Sequence, residues 1–390
     1  MKTFKGYIRP DGNVGVRNMV AVIPSVFCAN RAAELIAEGY PEAAVMTHAL
    51  GCGQYGDDIE LSTNMLIALG KHPNVAAIVV VGLGCERISP ERLYREIALS
   101  GKPTCLVHIQ NDGGMKRTVE KGRAFIDSII EGIRSEKRVE VPIKKLVLGL
   151  KCGGTDATSG IAANPTLGCV TDKLIAEGGT AFLSEITELI GAEHILAARA
   201  VNDKVKDDLY KVIDKWEKEL LRKTKDRTRT DVQGQLVSTG NFAGGVSSVA
   251  EKALGGVYKA GSCPVSGVLE YGEKPLGNGL YVMDAPGVDN EVVTALVCGG
   301  AQVVVFTSGR GTPTGFPFVP VIKMTGNNEM YEALPDVFDL SVGNIMEGKS
   351  TPEKESVGLF DEVIAVANGK KTLAETFRNG DLFSIMRLNH

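Results

Sequence analysis

The chain is predicted to be an α/β protein, with parallel sheets flanked by helices and two α/β domains. Three observations predict this. Short apolar runs alternate with segments of helical spacing through the N-terminal third. Strand–helix–strand units resume in the last third. Glycine is abundant, 46 of 390 residues, and recurs in pairs after apolar runs, where the chain must turn tightly.

Taken in order, "MVAVIP" (19–24), "AAVMTH" (43–48), "AIVVVG" (77–82) and "PTCLVHI" (103–109) read as short buried strands. Between them, "CANRAAELIAEG", "DDIELSTNMLIALGKH" and "SPERLYREIALSG" carry helical spacing, and 115–135 reads as a long amphipathic helix. Such alternation implies a parallel sheet with helices on its faces. A fifth strand, "KKLVLGL" (144–150), follows a charged segment, which places a boundary between domains 1–140 and 141–390. Helices are expected over 162–177 and 192–222, then an exposed polar connection, "KTKDRTRTDVQGQ" (223–235). A strand at 279–284, a helix over 289–298, strands at 302–309 and 320–326, and helices over 352–368 and 371–378 complete the chain.

Composition narrows the function classes. Net charge is −4, so no basic footprint invites nucleic acid. No apolar run approaches the roughly 18–20 residues of a membrane span. Residues 1–10 are charged and polar, unlike a secretory leader. Eight cysteines spread over the whole length are poor material for a disulfide framework and fit a cytoplasmic protein.

Ligands of an open parallel sheet bind beyond the carboxyl ends of its strands. The first strand delivers Cys28 and Asn30 there. The second delivers His48, Cys52, Gln54, Asp57 and Asp58. The third gives Cys85 and Glu86, the fourth Gln110 and Asp112, and the fifth Lys151, Cys152, Asp156 and Ser159. Cys105, Cys169 and Cys298 lie inside apolar elements and read as small core residues, and Cys263 reads as structural. Glycine-rich turns and polar neighbours favour function for Cys28, Cys52 and Cys85, and Cys152 is balanced between the two readings. Three such thiolates could hold iron, alone or in a cluster, with His48 as a further ligand or base. The loops "RPDGNVGVRN" and "TSGRGTPTG" offer Arg17 and Arg310, whose guanidinium groups can grip a carboxylate. The glycine-rich run 149–168 either cradles an anion or caps a helix through Thr158 or Ser159. Gln54, Gln110, Ser159 and Asn164 are the candidate substrate-binding side chains.

The motifs "GYIRPDGNVGVRN", "FCAN", "HALGCGQ", "GLGCE", "GLKCGGTDATSGIAANPTLG", "GGTAFLSEITELIGAEHIL", "DAPGVDNEVVTALVCGGAQVVVFTSGRGTPTG" and "PVIKMTGNNEMY" occur in this order. Together, from about residue 6 to about residue 370, they resemble the altronate/galactarate dehydratase family. The resemblance implies elimination of water from a sugar acid, assisted by iron or another divalent metal. A related branch, sulfolactate sulfo-lyase, eliminates sulfite. Long family members carry a small β-rich domain ahead of the first motif, which is a separate polypeptide in two-subunit members. A small β-rich partner and an oligomer are therefore expected. On this reading Cys28, Cys52 and Cys85 hold the metal, and Arg310 and Arg17 bind carboxylate. His48, Lys151 or Asp156 is the base or acid, with no ranking among them. A cysteine-based redox or ligand-binding protein is the alternative of another class.

Overall fold

The computed structural model describes residues 2–223, 237–380 and 383–387. The strands are β1 (Thr3–Ile8), β2 (Val14–Gly15), β3 (Met19–Pro24), β4 (Ala43–Val45), β5 (Val75–Gly82), β6 (Thr104–His108), β7 (Val139–Pro142), β8 (Val147–Cys152), β9 (Thr180–Leu183), β10 (Val265–Leu269), β11 (Gly279–Met283), β12 (Val303–Thr307), β13 (Val321–Thr325) and β14 (Leu340–Ser341). They form a four-stranded sheet, β4-β3-β5-β6, a seven-stranded sheet, β10-β11-β9-β8-β12-β13-β14, and a small ribbon, β2-β1-β7. The two larger sheets are parallel throughout, as predicted.

The helices are α1 (Asn30–Ala37), α2 (Asp57–Gly70), α3 (Pro90–Ala98), α4 (Met115–Ser135), α5 (Asn164–Ala176), α6 (Glu193–Ala197), α7 (Asp203–Lys223), α8 (Thr239–Ala243), α9 (Val249–Val257), α10 (Asp289–Cys298), α11 (Asn328–Ala333), α12 (Pro352–Ala367) and α13 (Leu373–Thr376). Several starts are written locally. Ser89 and Thr351 cap α3 and α12 by accepting an N–H, each followed by a proline whose missing N–H costs nothing at that position.

Packing makes five layers. On one face of the small sheet, Val20, Val22, Val79 and Val81 meet Ile36 of α1 and Ile126 of α4. Its other face, through Ile78 and Val80, shares a core with Leu66 and Leu69 of α2, Val293 and Leu296 of α10, and Val304 and Phe306 of the large sheet. The far face of the large sheet packs Leu148, Leu150 and Val305 on α5, α7 and α12. Strand β5, "VAAIVVVG", is buried along its whole length, which is why it reads as one unbroken apolar run.

The sheets are also aligned. His72, just past α2, meets Ala301 O through Nε2 at 3.1 Å, and Asn74 donates to Gln302 O at 3.1 Å. The amino ends of β5 and β12 thus lie side by side.

Sequence and structure differ in places. The fifth strand runs to Cys152, so Lys151 and Cys152 end the strand instead of following it. The helix expected over 162–177 is entered through a π-helical turn, Ser159–Ala163. The helix expected over 192–222 is two helices, α6 and α7. Beyond Lys223 the polar connection lies outside the described residues. The antiparallel ribbon was unforeseen. Its Phe4, Val14, Val16 and Val141 pack in the large sheet's core cluster. We propose the division at 140/141 as the boundary between the two parallel sheets, with this ribbon strapped across it.

Candidate active site

In the small sheet the chain passes from β3 outward to β4 and then back across to β5. The crevice of such a sheet opens where the strand order reverses, here between β3 and β5. The turns that leave β3, β4 and β5 carry Cys28, Cys52 and Cys85, and all three thiols are exposed. Backbone bonds knit these turns together. Phe27 N–H donates to Leu50 O at 2.9 Å, and Arg87 N–H donates to Gly51 O at 3.0 Å. Gly51 has φ +94°, and a side chain there would collide with Ser25 and Val26, so the turn requires glycine.

Neighbouring polar groups serve this architecture. Glu86 accepts from Ser25 Oγ at 2.6 Å, Leu83 N–H at 2.8 Å and Gly84 N–H at 2.6 Å. Burial opposes its charge, but these hydrogen bonds outweigh it and hold the carboxyl below its ordinary range. His48 is buried, with Nε2 on Pro24 O at 2.7 Å and Nδ1 accepting Leu50 N–H at 3.1 Å. Burial depresses its pKa, and both ring nitrogens are committed. The structure therefore gives His48 a structural place, with no lone pair for a metal or a proton. Gln54 accepts Gly51 N–H at 2.9 Å and donates to Ser62 Oγ at 2.8 Å, bracing the Cys52 turn from inside. Gln110 is exposed and packs against Gly84, beside Cys85.

The large sheet reverses between β8 and β12. The loops after these strands are joined: Gly153 N–H donates to Thr307 O at 3.1 Å, and Arg310 N–H to Gly154 O at 3.1 Å. Asp156 lies against Gly309, where any Cβ would collide with its carboxylate. Its Oδ1 accepts from Thr158 Oγ1 at 2.7 Å, Ser159 N–H at 2.9 Å and Ser159 Oγ at 3.1 Å. Its Oδ2 has no partner among the described residues. Arg310 is exposed and makes one long contact, to Gly240 O at 3.4 Å. The structure thus brings Asp156 and Arg310 together. Ser159 is the cap of the loop, and Asn164 ties Gly255 O to Thr307 Oγ1.

Beneath this crevice lies a charge network that the sequence did not reveal. Lys151 Nζ meets Glu185 Oε1 at 2.5 Å and Asp289 Oδ1 at 2.7 Å. Lys259 Nζ meets Glu185 Oε2 at 2.5 Å and Cys152 Sγ at 2.7 Å. Lys252 pairs with Glu188 Oε1 at 2.9 Å. Burial would push Lys151 down, but Glu185, Asp289 and Glu188 outweigh it and hold the ammonium above its usual range. Fully buried and held by these carboxylates, Lys151 is poorly placed to take a proton from a substrate. Burial likewise opposes the Glu185 charge, yet Lys151 and Lys259 hold its carboxyl at about 2. Burial and Glu185 push the Cys152 thiol up to about 12, against the pull of Lys259. Glu185 sits at φ +68°, a strained conformation for a residue with a side chain.

Cys152, Glu185 and Glu188 have donor atoms within 4.8 Å of one another, which is metal-ligand spacing. The surrounding charge fits an ion poorly. Three ammonium groups already balance Glu185, Glu188 and Asp289, and a dication would unbalance a buried neutral network. The exposed thiols of Cys28, Cys52 and Cys85 carry no such burden, but among the described residues they do not form a group with donor atoms within 4.8 Å of one another. Arg17 lies elsewhere. All five of its N–H groups are taken, by Glu375, Val16 O, Val366 O and Lys370 O, so it latches the C-terminal region and has no donor left for a substrate.

Residues 6–134 match the model for the second domain of D-galactarate dehydratase/altronate hydrolase, and 143–389 match that for the C-terminal domain of D-galactarate/altronate dehydratase. Altronate dehydratase of Bacillus subtilis is 37% identical over 95% of this chain and 74% of its own length. Galactarate dehydratase (L-threo-forming) of Escherichia coli is 33% identical over 95% of this chain and 73% of its own length. The (2R)-sulfolactate sulfo-lyase subunit beta of Chromohalobacter salexigens is 33% identical over 99% of this chain and 98% of its own length. The chain belongs to the D-galactarate/altronate dehydratase family and is an enzyme of that lyase family.

Proposed function

We propose that this enzyme removes water from an altronate-type aldonate to give a 2-keto-3-deoxy acid through an enolate-like intermediate. The observation that carries the reading is the β8/β12 crevice, where the loop that bears the exposed Arg310 packs at Gly309 against the Asp156 carboxylate. Loss of a 3-hydroxyl from a 2-hydroxy acid needs proton transfer and a cation for the carboxylate that gains charge. Arg310 holds that carboxylate with paired hydrogen bonds. Asp156, with Oδ2 free, exchanges a proton with the substrate. His48 and Lys151 drop out of that role for the reasons given above.

Cys28, Cys52 and Cys85 would hold iron, as Fe2+ or a cluster, and another divalent metal is the alternative. Thiolates suit iron, and the metal would supply Lewis-acid assistance to the departing hydroxyl. The substrate is a small sugar acid, and a small β-rich subunit is the proposed partner, in an oligomer. Among the described residues no helix is long and apolar enough to cross a membrane. Galactarate dehydration shares this chemistry. Sulfite elimination is a second reading, favoured by the end-to-end match to the sulfo-lyase subunit.

The test is an anaerobic assay of the iron-loaded protein, with and without a small β-rich partner, on altronate, galactarate, related aldonates and sulfolactate. A 2-keto acid from one sugar acid is expected. Sulfite release would move the enzyme to the second reading. No product from any of them would overturn both.

A further inference from the structure

We infer that Asp289, at the carboxyl edge of the large sheet beside Gly153, is the base that takes the C2 proton. This rests on the lyase reading above and assigns the proton transfers within it.

Four observations carry the assignment. Asp289 opens α10, the helix that follows β11, so it stands at the carboxyl edge of the large sheet. Its Oδ1 is fixed by Lys151, which is fixed by Glu185, which is fixed in turn by Lys259. The chain of ion pairs is sunk in the protein until it reaches Asp289. The Lys151, Glu185 and Lys259 side chains are 0–2% exposed, while Asp289 is 37% exposed and keeps Oδ2 without a partner among the described residues. Finally, the two glycines of the Cys152–Gly154 strip let these groups pack closely against it. A Cβ on Gly153 would lie 2.9 Å from Asp289 Oδ1, and one on Gly154 would lie 3.0 Å from Ser308 Oγ and 3.5 Å from Arg310 Cβ. Asp289 Oδ1 and Arg310 Cβ therefore border the same glycine strip, Asp289 at Gly153 and Arg310 at Gly154.

The two carboxylates differ in their surroundings. Asp289 is paired with an ammonium, whereas no cation lies within ion-pair distance of Asp156 among the described residues. Asp289 Oδ2 takes the proton from C2. The freed electron pair is first held as an enolate-like carboxylate and then makes the C2–C3 double bond when the C3–O bond breaks. Asp156 gives its proton to the departing oxygen, which leaves as water, and the enol becomes the 2-keto acid. Lys151 and Glu185 are positioning residues that aim Asp289.

The experiment is run in D2O with the iron-loaded enzyme and the sugar acid that the wild-type protein turns over. Deuterium at C2 of remaining substrate and 2-keto acid formation are measured together. Asp289→Asn should lower both by about 10²–10⁴-fold, with KM little changed. Asp156→Asn should lower keto-acid formation while C2 exchange continues. Asp289→Gly should regain exchange on addition of formate, which a purely structural role would not allow. Exchange in Asp289→Asn within tenfold of wild type, or no formate rescue in a folded Asp289→Gly, overturns the assignment. A wild-type enzyme inert on every substrate overturns the lyase reading instead.

Discussion

The two carboxyl edges hold polar chemistry in opposite ways. At the small sheet, three thiols stand in solvent on turns knit by backbone hydrogen bonds. At the large sheet, lysines and carboxylates are buried in a closed chain of ion pairs, and Arg310 stands alone above them. The difference teaches a division of labour. Neutral thiols on rigid turns can stand in solvent without partners. A charged crevice needs its charges prepaired, because an unpaired buried ion is costly.

The sharpest way to break this contrast is to remove one charge from the network. Glu185→Gln leaves Lys259 without a carboxylate and should cost about 3–5 kcal/mol in denaturant unfolding. The same residue gives an acid signature. Its folded pKa, about 2, lies below the unfolded value of roughly 4.3. Its contribution of about 3 kcal/mol is therefore fully present above pH 4.3 and lost as pH falls towards 2. Glu185→Gln should flatten stability across that window, and an unchanged profile would remove Glu185 from the account.

Arg310→Ala should cost less, about 1.5–3 kcal/mol of substrate binding, read as a rise in KM with little change in melting temperature. A fall in kcat at constant KM would mean that Arg310 does not grip the ground-state carboxylate. The smallest stability effect belongs to the exposed thiols. Cys52→Ser should leave stability of the metal-free protein within about 0.5 kcal/mol, yet remove bound iron and activity together. Full iron content in that variant would refute the ligand assignment.

What the sequence disclosed follows from how local each signal is. Strand β3 and helices α4 and α10 lie where their apolar patterns place them, since each pattern is complete within its own segment. The three cysteine turns were found by the strand-end rule because glycine, cysteine and strand are neighbours in the chain. Strand β9, four residues after a glycine pair, was too short to read, and with it went Glu185 and Glu188. Lys259 could not be foreseen, because its burial depends on a carboxylate 74 positions away. His48 and Arg17 look functional by type, yet the hydrogen-bonding groups of both are taken up within the protein. Only their partners, Pro24 and Leu50 for one and Glu375 for the other, reveal that.

The most direct measurement is a crystal structure of the iron-loaded enzyme with a 3-deoxy sugar acid, which binds but has no hydroxyl to lose. The ligand carboxylate should lie on the Arg310 guanidinium in the β8/β12 crevice, with C2 between Arg310 and Asp289. A ligand seated instead in the cavity at the other end of the small sheet, lined by Arg9 and Lys102, would contradict the account.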